Sequence, residues 1–141
     1  MSKNIRPEIS KKNKYWIEKH RYYELKHFCM QYSYWEERLR ALDGFSEESN
    51  GIIIDKKDKL PLSPSRVERV VMRRQFYRDC MDEVEKAARD TDPVIGRYIL
   101  IAVTNGMPYD VLRMNYDIPC ARNTYYDLYR KFFWLLSQTR K

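Results

Sequence analysis

Hydrophobic residues recur every three or four positions through most of the chain, which is the spacing of one face of an α-helix. In the first such stretch, from about Trp16 to Leu42, the stripe consists of Leu25, Phe28, Tyr32, Trp35, Leu39 and Leu42. The pattern predicts one long helix that ends at Asp43-Gly44, because glycine readily adopts the left-handed conformation of a helix terminus. The stripe is close to a heptad seam, so it predicts packing on another helix of this chain or of a second copy.

The periodicity is lost over residues 44–63, where glycine, serine and asparagine precede Ile52-Ile53-Ile54 and a charged run. Three β-branched residues favour a short strand, but no neighbouring segment offers a strand with which it could pair. The segment is therefore interpreted as a flexible loop.

A second helix is predicted from the capped entry Ser63-Pro64-Ser65 to Asp90-Thr91-Asp92. Its apolar face consists of Val67, Val70, Val71, Tyr77, Met81, Val84 and Ala88. Packed against the first helix, it completes a helical hairpin over residues 14–92. The opposite face, predicted to be solvated and also able to contact phosphate, carries Arg66, Arg69, Arg73 and Arg74.

Residues 93–141 predict three further helices. The first runs from Val94 to about Thr104, is apolar all round and should be buried on several sides. Asn105-Gly106 ends it, a short helix follows from Pro108 to Tyr116, and after a turn the last helix covers Ala121 to Gln138. This is the plan of a tri-helical helix-turn-helix domain. The predicted fold is all-α: a basic arm at 1–13, the hairpin with its loop, and this C-terminal domain.

The last helix combines an apolar face with polar residues at its start. The apolar face consists of Tyr125, Tyr129, Phe132, Phe133 and Leu136. Arginine can pair with guanine and asparagine with adenine, while hydroxyls and the amides of a helix start can hold phosphate. The predicted DNA-binding residues are Arg113, Arg122, Asn123, Thr124, Tyr126, Arg130 and Lys131. The same spacing also fits an ordinary terminal core helix, and Asp127 would repel phosphate unless it faces water or accepts from a cytosine amine.

The charge distribution agrees with a polyanionic partner. The 141 residues carry a net charge of +7, with +5 over residues 1–28, +4 over 93–141, and −2 and 0 between them. Basic ends suit a partner whose phosphates carry condensed counterions. A mildly basic balance is also common for solubility alone.

Other function classes receive little support from the sequence. Cys29, Cys80 and Cys120 match neither a disulfide framework nor a zinc site, and they are expected to be small buried hydrophobes in a reducing cytoplasm. His20 and His27 have no carboxylate cluster at ligand spacing, and no glycine-rich phosphate loop or nucleophile-base motif is present. We therefore expect no enzyme activity, no metal and no cofactor. No segment has the ~20 apolar residues of a membrane span, and the N-terminus is not a secretory signal.

Three short stretches resemble the RinA and ArpU type late-gene regulators of phages and prophages of Gram-positive bacteria. They are Lys19-His20-Arg21-Tyr22-Tyr23-Glu24-Leu25-Lys26, Gln31-Tyr32 with Trp35, and Thr124-Tyr125-Tyr126 with Arg130-Lys131. The C-terminal part is also similar to region 4 of sigma factors. The resemblance implies a protein of the bacterial host cytoplasm that binds double-stranded DNA upstream of late genes, with host RNA polymerase as a further partner.

The chain departs from that pattern in the turn before the last helix. Ile118 precedes Thr124 by six residues instead of four, so either the turn is longer or the helix starts earlier, at Ala121. The departure leaves open which of the polar residues face DNA.

Two alternatives to the regulator remain at this point. A small terminase subunit also combines a helix-turn-helix with oligomerising helices, and it would form a ring. A phage protein that binds a host enzyme would have a protein partner and no affinity for DNA.

Under the regulator hypothesis, a homodimer could form through the N-terminal helices. It would place two DNA-reading helices about one turn of DNA apart.

Overall fold

The computed structural model of the protein describes residues 13–48 and 64–140, and the side chains of 13–43 and 66–140. The described part contains six helices and no strand: α1 Lys19–Cys29, α2 Tyr32–Glu48, α3 Pro64–Thr91, α4 Gly96–Asn105, α5 Tyr109–Asn115 and α6 Arg122–Thr139. The all-α prediction is confirmed for these residues. The predicted basic arm at 1–13, apart from Asn13, lies outside these residues, and so does the Ile52–Ile54 segment.

The single long helix predicted for the first stretch is interrupted in the structure. The amide of Gln31 donates to the carbonyl of Phe28 at 3.1 Å, a three-residue step that closes α1 as a turn. The apolar periodicity continues through this break, and no glycine or proline occurs there. The sequence pattern therefore does not predict the interruption between α1 and α2. The helix also begins later than predicted, at Lys19, with the Glu18 carboxylate accepting from the Arg21 amide at 3.1 Å.

The predicted helix end at Asp43-Gly44 is wrong, because α2 continues to Glu48. A glycine inside a helix costs about 1 kcal/mol relative to alanine, which weakens a helix without ending it. The first five residues of the predicted loop at 44–63 are thus helical, and Pro64 begins α3. The rest of that loop lies outside the described residues.

The chain forms two compact units. The first unit consists of Met1–Gln31 and Glu83–Lys141, and the second of Tyr32–Asp82. In the first unit α1 packs on α6 and on α4, and α4 packs on α5. The predicted division between residues 92 and 93 therefore differs from the observed units, since α1 joins the C-terminal helices and α3 contributes to both units.

Aromatic and aliphatic side chains fill the core of the first unit. Its largest fully buried members are Leu25, Ile99, Leu112, Tyr125, Phe132, Phe133 and Leu136. Tyr22 of α1 lies edge-on against Phe133, with centroids 5.1 Å apart, and its hydroxyl hydrogen-bonds that of Tyr129 at 2.9 Å. Several residues of helix α4 are buried, as predicted. Val94, the predicted first residue of this helix, lies just before it and is exposed.

Arg140 links three parts of the first unit beyond the end of α6. Its guanidinium lies 3.7 Å from the ring centroid of Phe28 and pairs with Glu83 at 3.0 Å. Its carbonyl accepts a hydrogen bond from Arg21. The cation–π contact and the ion pair fix the end of the chain against α1 and α3.

The second unit has a smaller core, in which Trp35, Leu42 and Cys80 are buried. Arg74 of α3 pairs with Asp43 of α2 at 3.2 Å and is only a quarter exposed. The prediction that Arg74 lies on a solvated face with the other arginines is therefore wrong. Val67 and Val71, predicted on the apolar face, are instead exposed.

Asp92 organises the connection from α3 to α4. Its carboxylate accepts hydrogen bonds from the amides of Val94 at 2.9 Å and Ile95 at 2.7 Å. These bonds, with Lys131 nearby, lower the pKa of the Asp92 carboxyl. At the other end of α4, Gly106 adopts φ 66° and closes the helix, as the sequence predicted.

Replacing Asp92 by alanine is expected to lower the free energy of unfolding by about 1 kcal/mol, because two amides lose their acceptor. Since the folded pKa lies below the ordinary value, this contribution is complete above about pH 5 and is lost as the pH falls through the folded pKa. Urea unfolding of wild type and variant at several pH values measures both effects. Asp90→Ala is the control, since the pair of Asp90 with Lys86 is exposed and screened by solvent and should contribute little to stability. Equal losses from the two variants would contradict the capping role.

Candidate nucleic-acid interface

Helix α6 presents two chemically different faces. Tyr125, Phe132, Phe133 and Leu136 are buried and attach the helix to the first unit. Asn123 and Thr124, at its start, are exposed and point away from that core. The polar start of the helix is thereby held in a fixed orientation by the packing of its back.

The first turn of α6 has backbone donors that its own cap does not use. The helix begins at Arg122, with Ala121 in extended conformation at the N-cap position, φ −76° and ψ 163°. Alanine has no side-chain acceptor, so the first amides of the helix lack the usual capping hydrogen bond. Such a helix start, with its partial positive charge, favours an anionic group. Of the two possibilities left by the spacing of Ile118 and Thr124, the observed start at Arg122 is closer to the earlier one.

Arg122 is held towards α5. One of its terminal nitrogens lies 3.4 Å from the Asp110 carboxylate, and its guanidinium carbon lies 5.8 Å from the centroid of Tyr126. The side chain is half exposed, so the contact with Asp110 is open to solvent and weak. Asp110 was not among the predicted residues. Asp110 is an acidic residue in the first turn of α5, where such residues are common. The sequence does not indicate that Arg122, twelve positions later, is its partner.

Tyr126 belongs to the aromatic core more than the sequence predicted. Its ring lies edge-on to Tyr125 and Tyr129, with centroids 5.2 and 5.7 Å away. Its hydroxyl oxygen accepts from the amide of Tyr109 at 3.3 Å, and burial raises the pKa of that hydroxyl. Tyr126, predicted as a DNA-binding residue, is thus half-buried, and its side chain joins the start of α5 to α6.

Arg130 and Lys131 lie further along α6. Arg130 pairs with Asp127 at 2.8 Å and its side chain is only 19% exposed, whereas that of Asp127 is 72% exposed. Lys131 is half-buried and close enough to Asp92 to help lower the pKa of that carboxyl. Neither cation is as accessible as the sequence predicted.

Arg113 and Arg122 meet at a cleft of about 390 Å³ at the connection between α5 and α6. Tyr109, Asp110, Asp117, Ile118, Cys120 and Ala121 complete its lining. Two arginines and two aspartates give the cleft a balanced charge, so an anion binding there would replace the Asp110 contact of Arg122. Cys120, expected to be buried, is half-exposed at this cleft, while Cys29 and Cys80 are buried as expected.

The structure thus brings Arg113, Arg122, Asn123 and Thr124 together around the start of α6. Tyr126 packs behind this group, while Arg130 and Lys131 lie about two helical turns further along α6. Within residues 13–48 and 64–140, no group of three or more His, Cys, Asp or Glu side chains could hold a metal ion. None of the helices in the described part has the length and apolarity needed to cross a bilayer.

Comparisons with protein-family models, with curated proteins and with solved structures found no match for this chain.

Proposed function

We propose that the protein is a phage or prophage regulator that binds specific DNA sequences and reads them with the start of α6. In this proposal α4, α5 and α6 form a tri-helical helix-turn-helix domain, and α2 and α3 form a helical hairpin. The observation that carries the proposal is the pair of exposed polar residues, Asn123 and Thr124, on a helix whose opposite face is buried.

An α-helix fits the major groove of DNA, and in helix-turn-helix proteins the first residues of the second helix contact the bases. Helix α6 satisfies this requirement because its start is polar and exposed while its later residues form the core. The seven-residue helix α5 and the short connection before α6 agree with the same geometry. The reading helix would then be held rigidly, which reduces the entropy lost on binding.

Each residue around the start of α6 has a distinct proposed role. Asn123 would pair with adenine, and Arg122 would leave Asp110 to pair with guanine. Thr124 and the uncapped amides of the first turn would hold a phosphate, assisted by Arg113 across the cleft.

Arg130 and Lys131 would strengthen the attraction to the DNA backbone without direct base contacts. Tyr126 would position α6 through its bond to α5.

The overall charge of +7 supports a polyanionic partner, because cationic side chains release counterions from DNA. The resemblance to RinA and ArpU type regulators extends the proposal to late genes and to contact with host RNA polymerase. A symmetric homodimer would bind two half-sites about one turn of DNA apart.

The test is binding of the purified protein to restriction fragments of its source genome at two salt concentrations, together with its mass in solution. Selective binding to an upstream fragment in the presence of competitor DNA would support the regulator. A ring-sized oligomer with the same selectivity would point to a packaging subunit instead. Weak binding that disappears with salt would overturn sequence-specific recognition.

Arg122→Ala and Asn123→Ala are each expected to weaken binding to the preferred site by about 1–3 kcal/mol and to relax the preference at one base pair. The physical reason is the loss of a bidentate pair, which affects the correct base more than the others. Titration of the wild-type site and of single-base variants measures the change. Arg97→Ala is the matched control, since Arg97 is an exposed arginine of α4.

A uniform loss across all sequences would mean that Arg122 or Asn123 contacts phosphate and does not read bases. Unchanged binding by both variants would exclude the start of α6 as the reading element. Circular dichroism of each variant separates these outcomes from a loss of fold.

A further inference from the structure

The first half of α3 exposes large apolar side chains in the second unit. Met72 is 68% exposed, Phe76 57%, Val71 52% and Val67 43%. Met72 and Phe76 are one helical turn apart, so they lie side by side on the same face. Single exposed apolar residues are common on proteins, but a cluster of large ones indicates an interaction surface.

Phe76 belongs to a row of aromatic rings. Its ring lies edge-on to that of Tyr77 with centroids 5.6 Å apart, and Tyr77 lies edge-on to Tyr34 of α2 at 6.3 Å. Tyr34 is itself 52% exposed. We call Tyr34, Tyr77 and Phe76 the aromatic row. These ring contacts order exposed side chains before any partner binds, which lowers the entropy lost on association.

Arginines border this apolar surface. Residues 66–78 contain five arginines, one glutamate and no lysine. Arg69 and Arg73 are exposed and precede Met72 and Phe76 by three residues, so each arginine is next to one of the apolar side chains. Methionine, aromatic residues and arginine are enriched in protein interfaces, whereas lysine and glutamate are depleted there. The composition of this stretch is that of an interface and not of a surface kept only for solubility.

We propose that Met72 and the aromatic row, bordered by Arg69 and Arg73, form a docking surface for an acidic amphipathic helix of another protein. The apolar side chains need an apolar partner face, and the two arginines need carboxylates along its edges. A helix supplies both at the spacing that α3 presents, with apolar residues at i, i+3, i+4 and i+7.

Charge and shape favour this partner over two others. The backbone of duplex DNA would satisfy the arginines but would leave Met72 and Phe76 without an apolar contact. A second copy of the same surface would bring its own arginines against Arg69 and Arg73, and like charges across an interface are unfavourable. The proposal does not depend on DNA reading by α6.

The test uses the full chain and a synthetic helical peptide of about four turns, with leucines at i, i+3, i+4 and i+7 and glutamates flanking them. A second peptide has lysine in place of every glutamate. Fluorescence anisotropy of the labelled peptides gives the dissociation constants. We expect saturable binding of the acidic peptide, weaker binding at high salt, and no binding of the basic one.

Two pairs of variants locate the binding surface. Met72→Ser with Phe76→Ser, and separately Arg69→Glu with Arg73→Glu, should each weaken acidic-peptide binding at least tenfold, or about 1.4 kcal/mol. Met114→Ser and Arg97→Glu change an exposed methionine and an exposed arginine elsewhere and should leave binding unchanged. Circular dichroism checks that all four proteins keep their helix content.

Equal binding of the acidic and basic peptides would overturn the proposal, as would wild-type affinity in the Met72 and Phe76 double variant. A concentration-dependent dimer that these substitutions abolish would identify a second copy as the occupant and would also overturn it. Displacement of the acidic peptide by duplex DNA would assign the arginines to nucleic acid and would likewise overturn the proposal. DNA binding measured on the same variants shows separately whether the function of α6 is retained.

Discussion

Replacing Phe132 by alanine is expected to lower the free energy of unfolding of the first unit by about 3–5 kcal/mol. Phe132 is fully buried in α6, where its ring lies edge-on against Phe133 with centroids 4.9 Å apart. Removing the ring loses its transfer free energy and leaves a cavity that the surrounding helices cannot fill. Denaturant unfolding followed by circular dichroism measures the loss.

Phe76→Ala is the matched control for this experiment, since Phe76 is 57% exposed in α3. We expect it to cost less than about 1 kcal/mol, because the side chain loses little buried area. If both substitutions have the same effect, the assignment of the buried face of α6 is wrong. DNA binding should weaken in the Phe132 variant, because the start of α6 is oriented by this packing.

Gly96→Ala is expected to lower the free energy of unfolding by about 3 kcal/mol. A Cβ at this first residue of α4 would collide with the carbonyl oxygen of Ala88 and lie 2.9 Å from its carbonyl carbon. Both are main-chain atoms of α3, so no rotamer change can relieve the contact. The ends of α3 and α4 would have to separate, and thermal unfolding would show the change.

Gly106→Ala provides the comparison. At Gly106 the difficulty is the left-handed backbone at φ 66°, which costs a non-glycine residue about 1–2 kcal/mol. The added Cβ would meet only the end of the Met30 side chain, 3.2 Å away, and that side chain can move. A greater loss at Gly106 than at Gly96 would contradict the close approach of α3 and α4.

Much of the helical organisation could be predicted from the sequence. Helix α3 runs close to its predicted bounds, and α4 ends at the predicted glycine. The start and end of α6 differ from the prediction by one residue each. These features depend on proline, glycine and periodicity within a few positions, which are local properties of the chain.

Other features could not be predicted because they depend on partners far along the chain. The apolar stripe of the first helix continues through the break at Gln31, so its periodicity does not reveal that its two halves belong to different units. From the sequence, Gly96 is simply a residue with low helix propensity. Only the structure shows that the backbone of Ala88 lies against it and leaves no room for a Cβ. Val67 and Val71, two of the seven residues of the apolar face predicted for α3, are exposed, since α2 and α3 share a smaller core than the periodic pattern implied.

Some features of the candidate interface could also be predicted from the sequence, and others could not. The amino-acid types at the start of α6 and the buried stripe behind them follow from the sequence by itself, because helical periodicity assigns each residue to a face. The tertiary structure alone decided that Arg122 contacts Asp110 twelve residues away and that Tyr126 bonds the start of α5. It also decided that Tyr22 meets Tyr129 across 107 positions. Periodicity is set by neighbours three or four residues apart, whereas the partner of a charged or hydroxyl group is chosen when distant helices pack together.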